Sequence, residues 1–498
     1  MTVAVAVALL LCTGTARAQD VESQGAGPAE VRVLSLQDCL DIARVENIGL
    51  KRTQLGFDVS LLDRMRAASV FDPGFEADFS GKYMPSDSSG IGGTTQYDLG
   101  LSYRMPTWDG GSWVFSLDQA RANGATTVGG SPTSYTAYSS SLGLTYAMPL
   151  LEGRGERINR IGVNKADLAV ARSEAAINDA ARSLRLGVIQ AYISAVLAAR
   201  AIDVARVSLD TATNLVEETQ ARIDVGQLAP YELLSSQAGL AEREESLLNA
   251  QASLKIALDS LKELIGLPLT DEIEIDPGTL SSVVMDVNVD DLFLQAQKNR
   301  PDLRQLDLQI SQAQLDLLLA EDRRQASLSW NTTLSVSGKG DGYSGSFPDA
   351  DDLSWFTGLQ YSLPLGGNRA AEADVGTVNI ALENLQLQRV DFLRTLQRDI
   401  RAAVEDLNNA MLRIDVTSQG LDVQEVKMES ERARLELGLI TSRDMLEFDL
   451  DYANARLAYD RALSDAMLAV ARIESLINQE MLNDAIAIGG ANAGGGGS

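Results

Sequence analysis

The chain has 498 residues, 42 Lys and Arg against 69 Asp and Glu, no histidine and two cysteines, for a formal charge of −27. Without histidine there is no Ser-His-Asp or Cys-His nucleophile, no imidazole base and no His-ligated zinc or haem, and two cysteines cannot build a four-thiolate site or a disulfide framework. The charge opposes polyanionic nucleic acid, and no basic stripe offsets it. The residues that remain suggest no enzyme, metal or cofactor: Gly338-Lys339-Gly340 lacks the spacing of a phosphate loop, and Asp349 to Asp352 read as solvated loop acids.

The N-terminus reads as an export signal. Val3 to Leu11 is a short apolar run followed by Ala16-Arg17-Ala18, a small-x-small cleavage pattern, so residues 1–18 are expected to be a signal peptide. The run is shorter than the roughly 20 apolar residues a transmembrane helix needs. No Lys or Arg precedes it, which leaves room for a start further upstream. Cys12 offers a lipidation reading, against which Leu11 stands in place of a small residue. Cys39 lies on an apolar helical face and is expected to pack. No other stretch reads as a transmembrane helix, so membrane insertion would have to use strands.

The two halves read as duplicates. Leu36-Gln37-Asp38-Cys39-Leu40 aligns with Val289-Asp290-Asp291-Leu292-Phe293, and Arg222 to Gly226 aligns with Arg434 to Gly438. Each half is expected to run helix, glycine-rich β segment, very long helix, glycine turn, long helix. The first repeat covers 33–266, with a β segment at 74–148 and long helices at 155–265. A connector follows at 267–287. The second repeat covers 288–486, with a β hairpin at 328–364 and long helices at 369–486. Residues 487–498 form a flexible glycine-rich tail.

From Glu156 to Val225 there is no proline, so at 1.5 Å per residue one helix could run about 100 Å. Its partner carries Leu233, Leu240, Leu247, Leu254 and Leu261 at heptad spacing, and the second half places Met445, Tyr452, Tyr459, Ala466 and Ile473 likewise. Gly226 and Gly438 are expected to end the long helices and reverse the chain. Taken alone, these helices would fit a soluble coiled-coil rod.

The β segments change that reading. Three end on one signature: Gly100 to Pro106, Gly143 to Pro149 and Gly358 to Pro364, each with a tyrosine at its centre, Tyr103, Tyr146 and Tyr361. Upstream, Tyr97, Leu99, Leu101, Tyr103 and Met105 take one face, while Asp98, Gly100, Ser102 and Arg104 take the other. Alternation over about 10 residues is the transmembrane β-barrel signature, and the tyrosines fall where an interfacial aromatic belt would lie. Four strands are expected in the first half, at Phe75–Met84, Gln96–Met105, Ser112–Arg121 and Ala137–Met148, and two in the second, at Leu328–Gly338 and Leu353–Leu363. Six strands cannot close around a polar lumen, and unpaired edges are not tolerated in lipid, so several chains must complete the wall.

In its order of elements and its turn motifs the chain resembles the TolC-type outer-membrane efflux channels. The resemblance rests on Asn299-Arg300-Pro301-Asp302-Leu303-Arg304, on Pro149 and Pro364 at the starts of the long helices, and on the Val225-Gly226 and Leu437-Gly438 turns. It implies an α+β membrane protein: a homotrimeric outer-membrane β-barrel continued by a long antiparallel coiled-coil α-helical barrel across the periplasm. It further implies a periplasmic adaptor, docking at those turns, and an inner-membrane pump as partners. The family's usual chain supplies four strands. Six here predict eighteen per trimer, the alternative being an extra hairpin folded outside a twelve-stranded barrel.

The resemblance also locates a periplasmic gate. Asp444 and Glu447 match the family's lumen acids by their spacing after Gly438, and residues three apart share a helix face. Three copies would stack two acidic rings favouring cations, although a solvated charged face reads the same way. Glu232 matches the acid of the family's gate-closing bonds. Ile440 and Leu435 replace its Arg and Tyr, and Arg443 stands nearby as a substitute. The expected function is a passive exit duct of a tripartite efflux or type I secretion system, with outer-membrane lipid around it. A barrel-anchored coiled-coil spacer is the alternative.

Overall fold

The computed structural model describes residues 32–85, 93–128, 131–276, 285, 287–347, 352–365 and 367–481. The expected signal peptide, Cys12, Pro277-Gly278, Asp349 to Asp351 and the C-terminal tail lie outside them.

The chain order is β1 (Arg32–Leu34), α1 (Leu36–Glu46), α2 (Ile48–Ala68), β2 (Gly74–Met84), β3 (Thr94–Pro106), β4 (Ser112–Val128), β5 (Ser131–Pro149), α3 (Glu156–Asn159), α4 (Ile161–Asp224) and α5 (Tyr231–Ile265). It continues with β6 (Ile273–Ile275), α6 (Val289–Asn299), α7 (Pro301–Arg323), β7 (Ser327–Gly340), β8 (Leu353–Ser362), α8 (Arg369–Glu436) and α9 (Ser442–Ile477). The fold is α+β. At 64 and 68 residues, α4 and α8 are each about 100 Å long.

β2-β3-β4-β5-β7-β8 form one continuous antiparallel sheet. The additional hairpin is therefore part of this sheet. Its turn docks on the helical end of the sheet: Gly155 N–H donates to Asp109 O at 2.9 Å, Phe71 stacks on Trp108 at 3.9 Å, and the Arg160 guanidinium lies 4.9 Å from the Trp108 ring centre. β4 and β5 run past their expected ends at Arg121 and Ala137, pairing from Asn123↔Thr136 to Val128↔Ser131. The extension is rich in threonine rather than alternating apolar residues, and β-branched side chains suit a pleated ladder without an apolar face.

The expected unbroken helix from Glu156 is interrupted at Arg160. The Asn159 amide donates to Gly153 O at 2.7 Å and Gly155 O at 3.0 Å, which fixes the entry loop as a separate short turn of helix.

The main core lies midway along the helices, where α1, α6 and the parallel β1–β6 pair wrap the long hairpins. Val188, Ile189, Tyr192 and Val196 of α4 pack there with Leu407 of α8 and Met467 of α9. Contrary to the sequence expectation, α4 does contain a stretch long and apolar enough to cross a bilayer. These core contacts take up part of its apolar side chains. Cys39 is fully buried, and burial pushes its thiol up to about 12, so it packs as an apolar group with little thiolate.

Candidate functional site: the sheet wall and the hairpin tips

Alternation gives the sheet two chemically distinct faces. Phe79, Leu99, Leu142, Leu334, Trp355 and Leu359 are exposed on one, and the other carries Glu76, Asp78, Asp98 and Asp118. Aromatics crowd the helix-proximal ends of the strands on the apolar face. Tyr146 lies 4.4 Å from Trp113 and edge-on to Trp330 at 5.9 Å, Tyr103 lies 6.4 Å from Phe115, and Tyr361 is exposed on β8. Exposed apolar side chains of this number need a covering medium. β2 and β8 are the two edges of the sheet, each bonded on one side within the chain.

Pro149 and Pro364 sit where strands give way to helices. Beside Pro149, Leu150 N–H donates to Leu328 O at 2.7 Å, and Gly153 N–H donates to the Asp322 carboxylate at 2.8 Å, tying both halves together. Pro364 O accepts Gly367 N–H at 3.2 Å.

The two hairpin tips share one backbone solution. Gly226 and Gly438 both have φ +74°, a left-handed conformation that favours glycine. Gly226 N–H and Gln227 N–H donate to Ile223 O and Arg222 O, and Gly438 N–H and Leu439 N–H donate to Leu435 O and Arg434 O. These bonds satisfy the last carbonyls of α4 and α8. Val225 and Leu437 stand exposed beside them.

The expected gate residues are placed less uniformly. Asp444 is the third residue of α9, and its carboxylate accepts the Thr441 backbone N–H at 2.9 Å and hydroxyl at 2.8 Å in a reciprocal cap. These bonds hold it below the ordinary carboxylate range. Glu447 is exposed one turn on and belongs to no such cap. The Glu232 carboxylate raises the neighbouring Tyr231 phenol above its ordinary range. Glu232 and Arg443 form no ion pair among the described residues, so the expected substitute lock is not made within the chain.

Other residues join the tips instead. The Arg222 guanidinium donates to Leu435 O at 3.2 and 3.3 Å, and Thr219 and Ser442 share a buried hydroxyl contact of 2.9 Å. Arg222 was visible as the first residue of the repeated turn motif. Thr219 and Ser442 carried no sequence signal, because short hydroxyl residues on helices read as surface.

The depressed Asp444 pKa fixes a pH dependence. A carboxyl whose folded pKa lies below its unfolded value contributes stability above the unfolded pKa, about 4, and loses it as pH falls through the folded value. Asp444→Ala is expected to cost about 1 kcal/mol at pH 7 through loss of the cap. Unfolding of wild type and variant, compared at pH 7 and near pH 3, should show the gap shrinking in acid. A gap independent of pH would dissociate the cap from ionisation.

Comparison with known proteins bears on the whole arrangement. Residues 121–267, from within β4 to just past α5, match the family model described as outer membrane efflux protein. The resemblance to the TolC-type outer-membrane efflux channels holds. The Campylobacter jejuni CmeC outer membrane channel is similar in structure at TM-score 0.68 and 16% identity, with 92% of this chain and 89% of that one covered. The Vibrio cholerae outer membrane protein VceC gives TM-score 0.66 at 15% identity over 89% and 96%. The open state of the Neisseria gonorrhoeae MtrE outer membrane channel gives 0.63 at 17% over 89% of each. No curated protein matches the sequence. The fold is thus that of outer-membrane channels, and these matches support an outer-membrane location extending into the periplasm.

Proposed function

We propose that the protein is the passive exit duct of a tripartite efflux or type I secretion system, acting without catalysis as a homotrimer. The observation that carries this reading is a single six-stranded sheet, apolar on one face, that leads into helices about 100 Å long. Pairing β8 of one copy with β2 of the next satisfies both edges and gives eighteen strands from three chains. Exposed Leu234, Leu248 and Ile256 on α5, with Val416, Val423 and Val426 on α8, supply apolar stripes for the neighbouring copies. Barrel diameter grows roughly linearly with strand number, so eighteen strands make a lumen about half again as wide as twelve. A periplasmic adaptor would meet the Val225-Gly226 and Leu437-Gly438 tips, and an inner-membrane pump would supply the energy.

Glu447 and the uncapped oxygen of Asp444 are the groups for an acidic constriction. In planar bilayers the purified protein should give small cation-selective currents, and Asp444→Asn with Glu447→Gln should lose the selectivity. A confirmed trimer without current would favour a barrel-anchored spacer, and unchanged selectivity would remove these carboxylates from the constriction.

A further inference from the structure

Arg121 is the one charged side chain on the apolar face of the sheet among the described residues. It sits on β4, which on that face runs Trp113, Phe115, Leu117 and then Gln119, Arg121 and Asn123. Its register partners are Tyr97 on β3 and Tyr138 on β5. The guanidinium lies 5.6 Å from the Tyr138 ring centre, and the Tyr343 ring lies 4.8 Å from that of Tyr138. The turn Ser344–Ser346 is pinned over the same face by a buried Ser140–Ser346 hydroxyl contact of 2.8 Å, beside which the Gln119 amide donates to Ser140 at 3.1 Å. The Arg121 Nε is covered and has no hydrogen-bond partner among the described residues.

Height on the wall gives this arrangement a meaning. Trp113 lies at the helical end of the sheet, and Arg121 is eight residues away, about 26 Å along the strand and about 20 Å across a bilayer for strands tilted near 40°. The apolar band of such barrels is about 25 Å tall, so Arg121 comes out near its distal edge, at the outer leaflet. At midplane an outward arginine costs several kcal/mol, and near the interface almost nothing. A guanidinium lying over one tyrosine and in register with another matches a phosphate, which its outer nitrogens can meet with two parallel hydrogen bonds.

We propose that Arg121, framed by Tyr97, Tyr138 and Tyr343, is a binding site for the phosphorylated headgroup of an outer-leaflet glycolipid. The inference rests on the outer-membrane barrel reading above. It assigns the polar patch at Gln119, Arg121 and Ser140, with its pinned turn, to lipid recognition rather than to the lumen.

The test is native mass spectrometry of the delipidated protein titrated with a bis-phosphorylated acylated glucosamine disaccharide or its dephosphorylated form. Bilayer insertion and current are read on the same preparations. Wild type should prefer the phosphorylated lipid by tenfold or more, Arg121→Ala should abolish the preference, and Arg121→Lys should keep part of it, with currents unchanged in both variants. Equal binding of the two lipids by inserted wild type, or wild-type preference in Arg121→Ala, overturns the site alone. Wild type that never inserts overturns the barrel reading and this site with it. If Arg121→Ala does not assemble, the phosphate preference of wild type and its reduction in Arg121→Lys decide.

Discussion

Replacing Asp460 by alanine is expected to destabilise the protein by about 3–5 kcal/mol, because it breaks a buried ion pair from one side. Asp460 of α9 is 1% exposed and accepts from the Arg200 guanidinium of α4 at 2.8 Å, with Arg456 3.9 Å away. Ala462, Leu463 and Ala466 around it are buried, so alanine would leave no route for water to replace the carboxylate. The Arg200 side chain is about one-fifth exposed, which places the loss toward the lower end of the range. The pair connects the long helix of one half to the last helix of the other, so its rupture should loosen the seam between hairpins as well as lower stability. Replacing both partners, Arg200→Met with Asp460→Leu, removes the two charges together and should recover most of the loss. Thermal unfolding of the three variants against wild type checks the order. A single variant as stable as wild type would show that solvent reaches the pair.

Much of this arrangement was legible because it rests on periodicity and on special backbone. Alternation in β3, β5 and β7 located strands of the sheet, and Gly226 and Gly438 marked turns that do require a positive φ. The heptad leucines mark the right face of α5 unevenly: Leu261 is buried at the core, whereas Leu233, Leu240, Leu247 and Leu254 are half-buried in the single chain. That gradient is what a helix shared with a neighbouring copy would show. The distal halves of β4 and β5 were missed because threonine and serine ladders carry no hydrophobic period. Charged pairs were missed for a different reason. An acid on a helix reads as solvated, and only the fold shows that Asp449, Asp460 and Glu474 lie on the buried face of α9 opposite Arg243, Arg200 and Arg185. Spacing could place Asp444 after its glycine, but its cap with Thr441 depends on where α9 begins.

Converting Arg243 and Asp449 to an apolar pair should have the opposite sign to the loss of Asp460. Arg243 of α5 and Asp449 of α9 are 8% and 3% exposed at the side chain, yet Nε and Oδ2 stand 4.0 Å apart, too far for a hydrogen bond. The Arg243 Nη2 donates to Leu446 O at 3.0 Å, but Nε and the Asp449 Oδ2 find no partner among the described residues. Desolvation is therefore paid on both ions with incomplete return, the situation in which apolar replacement stabilises by about 1–4 kcal/mol. Arg243→Met with Asp449→Leu should raise the unfolding midpoint, whereas Asp449→Leu alone should lower it by leaving the guanidinium uncompensated. The pair lies close to Glu447 and joins a first-half helix to a second-half one at the tip. A seam that packs better should open less often, so any bilayer currents of the double variant should show longer closed episodes. A double variant less stable than wild type would mean that a bound water or a neighbouring copy already completes the pair.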